Sequence, residues 1–245
     1  MRVTRFALVA VFLAWAPIVS AQTVDEVIEK SITAMGGRAA MEKIKTRSMT
    51  GTLALATPAG DIAGTVEVQN AAPNKMRTVI KADLSAFGAG QLLVDQRFDG
   101  TTGFMINSMQ GDQPITGNQL ENMKANSFPH PFLDYKAKGV KVTLTGKEKV
   151  GDRDAFVVVF EPSTGSPIRQ FIDAESFLPV RSMVKITTPQ TGELEQTADS
   201  SDFRDVDGVK VPFSVKLTNA MQGVTMTFTK VENNVALDDK LFSKP

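Results

Sequence analysis

The segment Asp202–Pro245 reads DFRDVDGVKVPFSVKLTNAMQGVTMTFTKVENNVALDDKLFSKP. In its first half Val209, Val211, Phe213, Val215 and Leu217 alternate with Lys210, Pro212, Ser214, Lys216 and Thr218. After a break, Val224, Met226 and Phe228 alternate with Thr225, Thr227 and Thr229. A period of two puts each apolar set on one face of a strand and each polar set on the other. An apolar face repeated strand after strand must meet either a packed core or an apolar ligand. The spacing predicts Val211, Phe213, Val215, Met226 and Phe228 facing inward, with Lys210, Lys216, Thr225 and Thr227 facing outward.

Upstream the same period continues. It predicts strands at about 46–57, 60–70, 75–84, 90–98 and 102–109, and again at 140–150, 154–161, 167–174, 179–188 and 193–205. Turn signals such as Pro73-Asn74, Asp99-Gly100, Gly151-Asp152 and Asp207-Gly208 separate them, as in an antiparallel meander. Phe156 to Phe160 is apolar on both faces, which predicts a central strand covered on both sides. Helical spacing occurs at two places. Val24, Val27, Ile28, Ile32 and Met35 follow a capping box, Thr23 with Glu26, and stop at Gly36-Gly37; Arg38 to Ile44 reads as a second short helix. Gly117 to Asn126 reads as a helix through Leu120 and Met123. Beyond it, Ser127 to Phe132 cannot be regular, because Pro129 and Pro131 each restrict the residue before them, and Leu133 to Lys138 reads as a short helical turn. The expected fold is therefore mainly β with a few helices: a curved antiparallel sheet, with the helices near 23–44 and 117–126 on its concave side.

At the N-terminus Arg2 and Arg5 precede an uncharged run, Phe6 to Ala16, and small residues up to Ala21. This reads as a secretory signal peptide over 1–21, cut before Gln22. The run is short for a membrane anchor, which needs roughly 20 predominantly apolar residues. Residues 22–245 then form a single expected domain. The chain has no cysteine, so neither a lipoprotein anchor nor a disulfide is expected, and burial must hold the fold. Of 27 basic and 27 acidic side chains, 25 and 27 remain after removal of Arg2 and Arg5, a net of −2. That balance gives no electrostatic case for nucleic acid or for docking on an anionic membrane.

Signals for catalysis are sparse. His130 is the only histidine, in a Pro-His-Pro context that reads as a rigid loop. No nucleophile elbow, phosphate loop or zinc helix is present. Asp199, Asp202, Asp205 and Asp207 cluster in sequence, but their spacing is not that of a calcium loop and Arg204 lies among them. No catalytic residue, metal or cofactor is expected. Fifteen Phe and 11 Met supply the apolar volume; Met adapts to irregular partners, which suits a packed sandwich core or a cavity for an acyl chain.

Four stretches carry a resemblance to a known family. TVDEVIEKSITAMGGRAAMEKIKTRSMTGTL, FIDAESFLPVRSMVKI, FRDVDGVKVPFSV and VENNVALDDKLFSKP resemble, in this order, parts of the outer-membrane lipoprotein-sorting proteins, the LolA/LolB-like carriers and their exported relatives. The resemblance implies a half-open antiparallel barrel with a helical lid, binding lipoprotein acyl chains or related lipids in a soluble periplasmic protein. On this basis the expected cavity wall is Met49, Leu53, Met76, Ile80, Phe104, Phe213, Met226 and Phe228. Leu120, Met123, Phe128 and Phe132 are the expected lid. Arg47 is a position to examine, since the family couples lid to ligand through an arginine. The expected partner is an acyl chain of a lipoprotein or another lipid, the protein acting as a monomer and without chemistry. The alternatives are an envelope protein-interaction module with a filled cavity and, last, an envelope lipid hydrolase using His130.

Overall fold

Thr23 starts the first helix as the capping box requires: its hydroxyl accepts from the Glu26 amide and the Glu26 carboxylate accepts from the Thr23 amide. A computed structural model describes residues 22–57, 60–188, 192–220 and 223–245; the segment read as a signal peptide lies outside the described residues. Helix α1 spans Val24–Ala34 and buries Val27, Ile28 and Ile32. Gly36 ends this region with a φ of +116°, and a β-carbon there would lie 2.0 Å from the Gly208 carbonyl oxygen. That close approach lets the Met35 carbonyl accept from the Lys210 amide at 2.8 Å, docking the end of α1 on a strand of the sheet. Helix α2 is Arg38–Glu42 and α3 is Gly117–Ala125.

Thirteen strands follow in chain order. They are β1 (Thr46–Thr57), β2 (Gly60–Ala71), β3 (Lys75–Asp83), β4 (Gln91–Phe98), β5 (Gly103–Asn107), β6 (Gln113–Ile115) and β7 (Lys141–Val150). The rest are β8 (Arg153–Glu161), β9 (Ile168–Asp173), β10 (Pro179–Thr188), β11 (Gly192–Val206), β12 (Val209–Thr218) and β13 (Gly223–Asn233). All belong to one curved antiparallel sheet in the order β6-β5-β4-β3-β2-β1-β13-β12-β11-β10-β9-β8-β7. Thus β1 and β13 pair at the centre, with Leu53 opposite Met226, and β6 and β7 are unpaired edges.

Two details differ from the sequence reading. Strand β6 escaped it, being three residues long with Pro114 in the middle; an edge tolerates a residue that cannot donate to the ladder. Strand β8 is covered on both faces as expected, with Val157 and Val158 both at 0% exposure, but it is next to an edge rather than central. The reason is that Phe156, Val158 and Phe160 join the main core, whereas Ala155 and Val157 pack with Phe171 on the other face.

The main core lies between one face of the sheet and the helices. Val27, Ile28, Ile32, Met41 and Phe132 meet Met49, Leu53, Val66, Phe160, Val211, Phe213 and Phe228 there. Val211 and Phe213 are buried and Val215 packs against this cluster, so the inward assignment on β12 holds, whereas Lys210, expected to face outward, borders a cleft described below. Met226 and Phe228 share that face. A second cluster, Phe98, Ile115 and Met123 with Met76, Met105 and Leu120, seats α3 beside β4, β5 and β6.

Candidate binding cleft

The connection from β6 to β7 must travel from one edge of the open sheet to the other. Residues 116–140 make this crossing, and both halves of the sheet hold them. On one side the Phe128 amide donates to the Pro73 carbonyl at 2.7 Å, in the β2–β3 turn. On the other, Asn122 Oδ1 accepts from the Ser166 amide at 2.6 Å, and Ser166 Oγ donates to the Lys185 carbonyl on β10 at 2.7 Å. A third tie reaches α1: Tyr135 Oη donates to Asp25 Oδ1 at 2.7 Å and Lys136 pairs with Asp25 Oδ2 at 2.7 Å. Burial first, then the Asp25 bond and charge, push the Tyr135 hydroxyl up to about 12, so it stays a donor at neutral pH. The crossing segment is therefore a strap over the face that carries the core.

Two adjoining clefts open under the strap. The first holds about 490 Å3 of empty space including its mouth, and Phe132, Tyr135, Val140, Phe160 and Ile168 give it an apolar wall. Phe132 stacks on Phe160 at 5.3 Å between centroids, which fixes the ring against the strand. The second holds about 930 Å3 on the same basis and is more polar, with Arg47, His130, Ser182, Ser200 and Lys210 among its walls. Asn126, Pro131, Ile168 and Gln170 line both.

Arg47 is the most constrained charge in the second cleft. It is 9% exposed; its Nε donates to Asn233 Oδ1 at 2.8 Å and its guanidinium lies 5.5 Å from the centre of the Phe128 ring. Burial lowers its pKa to about 10, opposed by the charge of Asp207, which leaves it protonated at neutral pH. Its Nη2 is buried without a hydrogen-bond partner. His130 accepts from the Phe132 amide through Nδ1 at 3.3 Å, starting a 3-10 turn over Pro131–Leu133. Burial and then the Arg47 charge push its pKa down to about 4, so the ring is neutral.

The expected wall residues occupy three different settings. Met49, Leu53, Phe213 and Phe228 are packed in the main core, with Ile80 and Met226 against it. Met76 belongs to the second cluster. Phe104 pairs with Arg97 and has the Lys244 ammonium 4.9 Å from its ring centre; its neighbour Met105 points to the opposite face, into the second cluster. Of the expected lid residues, Phe132 lines the apolar cleft, Phe128 covers Arg47, and Leu120 and Met123 anchor α3. Tyr135, Phe160, Ile168 and Gln170 were not singled out in the sequence; only the two-sided apolar run ending at Phe160 hinted at them.

The four clustered aspartates each have a partner. Asp199 pairs with Arg181, Asp202 with Arg204, Asp205 accepts from the Gly208 amide, and Asp207 accepts from Asn233. No cluster able to hold a metal occurs among the described residues.

Solved structures share this architecture. A DUF1329 family protein from Desulfovibrio piger superposes with a TM-score of 0.57 at 12% identity, over 91% of this chain and 98% of that one. A LolA superfamily protein from Nitrosomonas europaea gives 0.54 at 14% identity, over 91% and 99%. The fold is LolA-like. A putative outer membrane lipoprotein-sorting protein domain from Vibrio parahaemolyticus matches this LolA-like fold with a TM-score of 0.55 at 11% identity, over 89% and 95%. No family model and no curated protein matches the chain. The expected curved antiparallel sheet with helices on one face is thus the fold observed, and at such identities the likeness concerns the fold alone.

Proposed function

We propose that this protein is an exported, periplasmic carrier that shields an acyl chain of a lipoprotein or another envelope lipid from water, without covalent chemistry. The observation that carries the reading is the apolar cleft between Phe160 and Ile168 of the sheet and Phe132 and Tyr135 of the strap. Its enclosed space is about 50 Å3, well under the roughly 300–1,000 Å3 of small-molecule sites, so admitting a chain requires the strap to lift. Roughly 25 cal/mol per Å2 of apolar surface removed from water makes such a chain an ample source of affinity. The lipoprotein-sorting name borne by one structural neighbour points the same way. Among the described residues no helix is long and apolar enough to cross a membrane.

The test has two parts. Lipid extracted from the purified protein is identified by mass spectrometry, and the delipidated protein is titrated with a fluorescent fatty acid and a triacylated peptide. A co-purifying lipid, or binding tighter than about 100 μM (roughly −5.5 kcal/mol), supports the carrier. Failure of both leaves the filled-cavity interaction module. One observation favours that second reading: Met49, Leu53, Phe213 and Phe228 are packed in the core instead of lining a cleft.

A further inference from the structure

Arg47 presents an unusual combination. A guanidinium nine-tenths buried keeps a donor, Nη2, with no acceptor. Leaving a buried charged donor unpaired is costly, so such groups are normally satisfied by protein, water or ligand. Its neighbours do not cancel the charge. Asp207 is reached only through Asn233, whose Nδ2 donates to Asp207 Oδ2 at 3.2 Å while its Oδ1 accepts from Arg47. The walls of the cleft include a second cation, Lys210, and no aspartate or glutamate. The Lys210 ammonium has a carboxylate, Asp205, only at 4.0 Å.

His130 adds a second donor. Its Nδ1 accepts from the Phe132 amide, so in the neutral ring the proton sits on Nε2. Ser182, Ser200 and Gln170 bring further polar groups to the same cleft. These are the features of an oxyanion seat. Asn126, Pro131, Ile168 and Gln170 stand between this cleft and the apolar one beneath Phe132, bordering both.

From this juxtaposition we infer that the polar cleft binds the carboxylate or phosphate head of an amphiphile at Arg47, with its acyl tail in the adjoining apolar cleft. The inference rests on the carrier reading and specifies the ligand as an acidic lipid.

The test compares a fluorescent fatty acid with its methyl ester in the delipidated protein and in Arg47→Gln and Arg47→Lys. The ester keeps the tail and loses the charge. We expect the wild type to bind the acid at least tenfold more tightly than the ester. Arg47→Gln should abolish that difference by weakening the acid at least tenfold, and Arg47→Lys should retain part of it. Equal affinity for acid and ester in the wild type overturns the inference and leaves the carrier intact; this arm needs no variant to fold. Inorganic phosphate, titrated alone by calorimetry, separates a lipid head from a free anion. If it binds more tightly than 1 mM and neither acyl compound binds, the seat serves a free anion and the amphiphile assignment fails. If nothing binds, both this inference and the carrier reading fall.

Discussion

Replacing Phe213 by alanine separates a packed wall from an open one. The ring is 7% exposed and belongs to the main core, with the Arg204 guanidinium 4.3 Å from its centre. Truncating a buried phenylalanine costs about 3–5 kcal/mol through lost burial and the cavity left behind. The cation–π contact adds little to this, because the Arg204 side chain is exposed and its charge is screened by solvent. With a urea slope of about 3 kcal/mol per M, the unfolding midpoint falls by about 1–2 M. Trp15, the only tryptophan, lies in the segment read as a signal peptide, so far-UV circular dichroism is the readout. Acyl-chain affinity should change little, because Phe213 lines neither cleft under the strap. A stability loss below about 1.5 kcal/mol together with a clear drop in acyl affinity would refute this reasoning: Phe213 would then be a ligand-facing wall.

Further outcomes concern other parts of the fold. Asp95 is buried between Arg77 at 2.8 Å and Arg97 at 2.7 Å, on paired strands where the two arginines are register partners. Asp95→Asn leaves two poorly exposed guanidinium groups facing one another and should cost about 3–5 kcal/mol, read by the same denaturation. Burial alone would raise the Asp95 carboxyl's pKa, but its bonds to Arg77 and Arg97 outweigh this and hold it below the usual carboxylate value. Its contribution is therefore fully present above about pH 4 and is lost as pH falls through the depressed folded value, so wild-type stability should drop in acid and Asp95→Asn should drop less steeply there. Gly51 pairs with Phe228 where the register shifts and Thr229 is left over on β13, and a β-carbon there would lie 2.1 Å from the Thr227 carbonyl oxygen. Gly51→Ala should cost about 1–3 kcal/mol by forcing β1 from β13; an unchanged midpoint would contradict the register. Tyr135→Phe removes the bond to Asp25 that ties the strap to α1, and faster amide exchange over 127–138 than in the wild type is the expected result.

Much of the β architecture was readable in the sequence because strands carry a local signal. Alternation at 209–217 and 224–228 requires no partner to be recognised, and on β12 it correctly separated buried Val211 and Phe213 from their neighbours. The capping box at Thr23 and the stop at Gly36 are likewise encoded within a few residues. The single interruption of the meander located the strap, since only there does the period of two lapse for long. Tertiary structure decided what periodicity leaves open. Two edges that never meet, β6 and β7, turn the 116–140 connection into a cover, and strand order is a matter of long-range pairing. Alternation also assigns a face but not what lies above it: Met49, Leu53 and Phe228 join the packed cluster that includes residues of α1 and α2, while Phe160 and Ile168 also border the apolar cleft. Arg47 shows the limit most plainly. As one arginine at the start of a strand it carries no local signal, and its unpaired donor emerges only when Asn233, Phe128 and His130, distant in sequence, close around it.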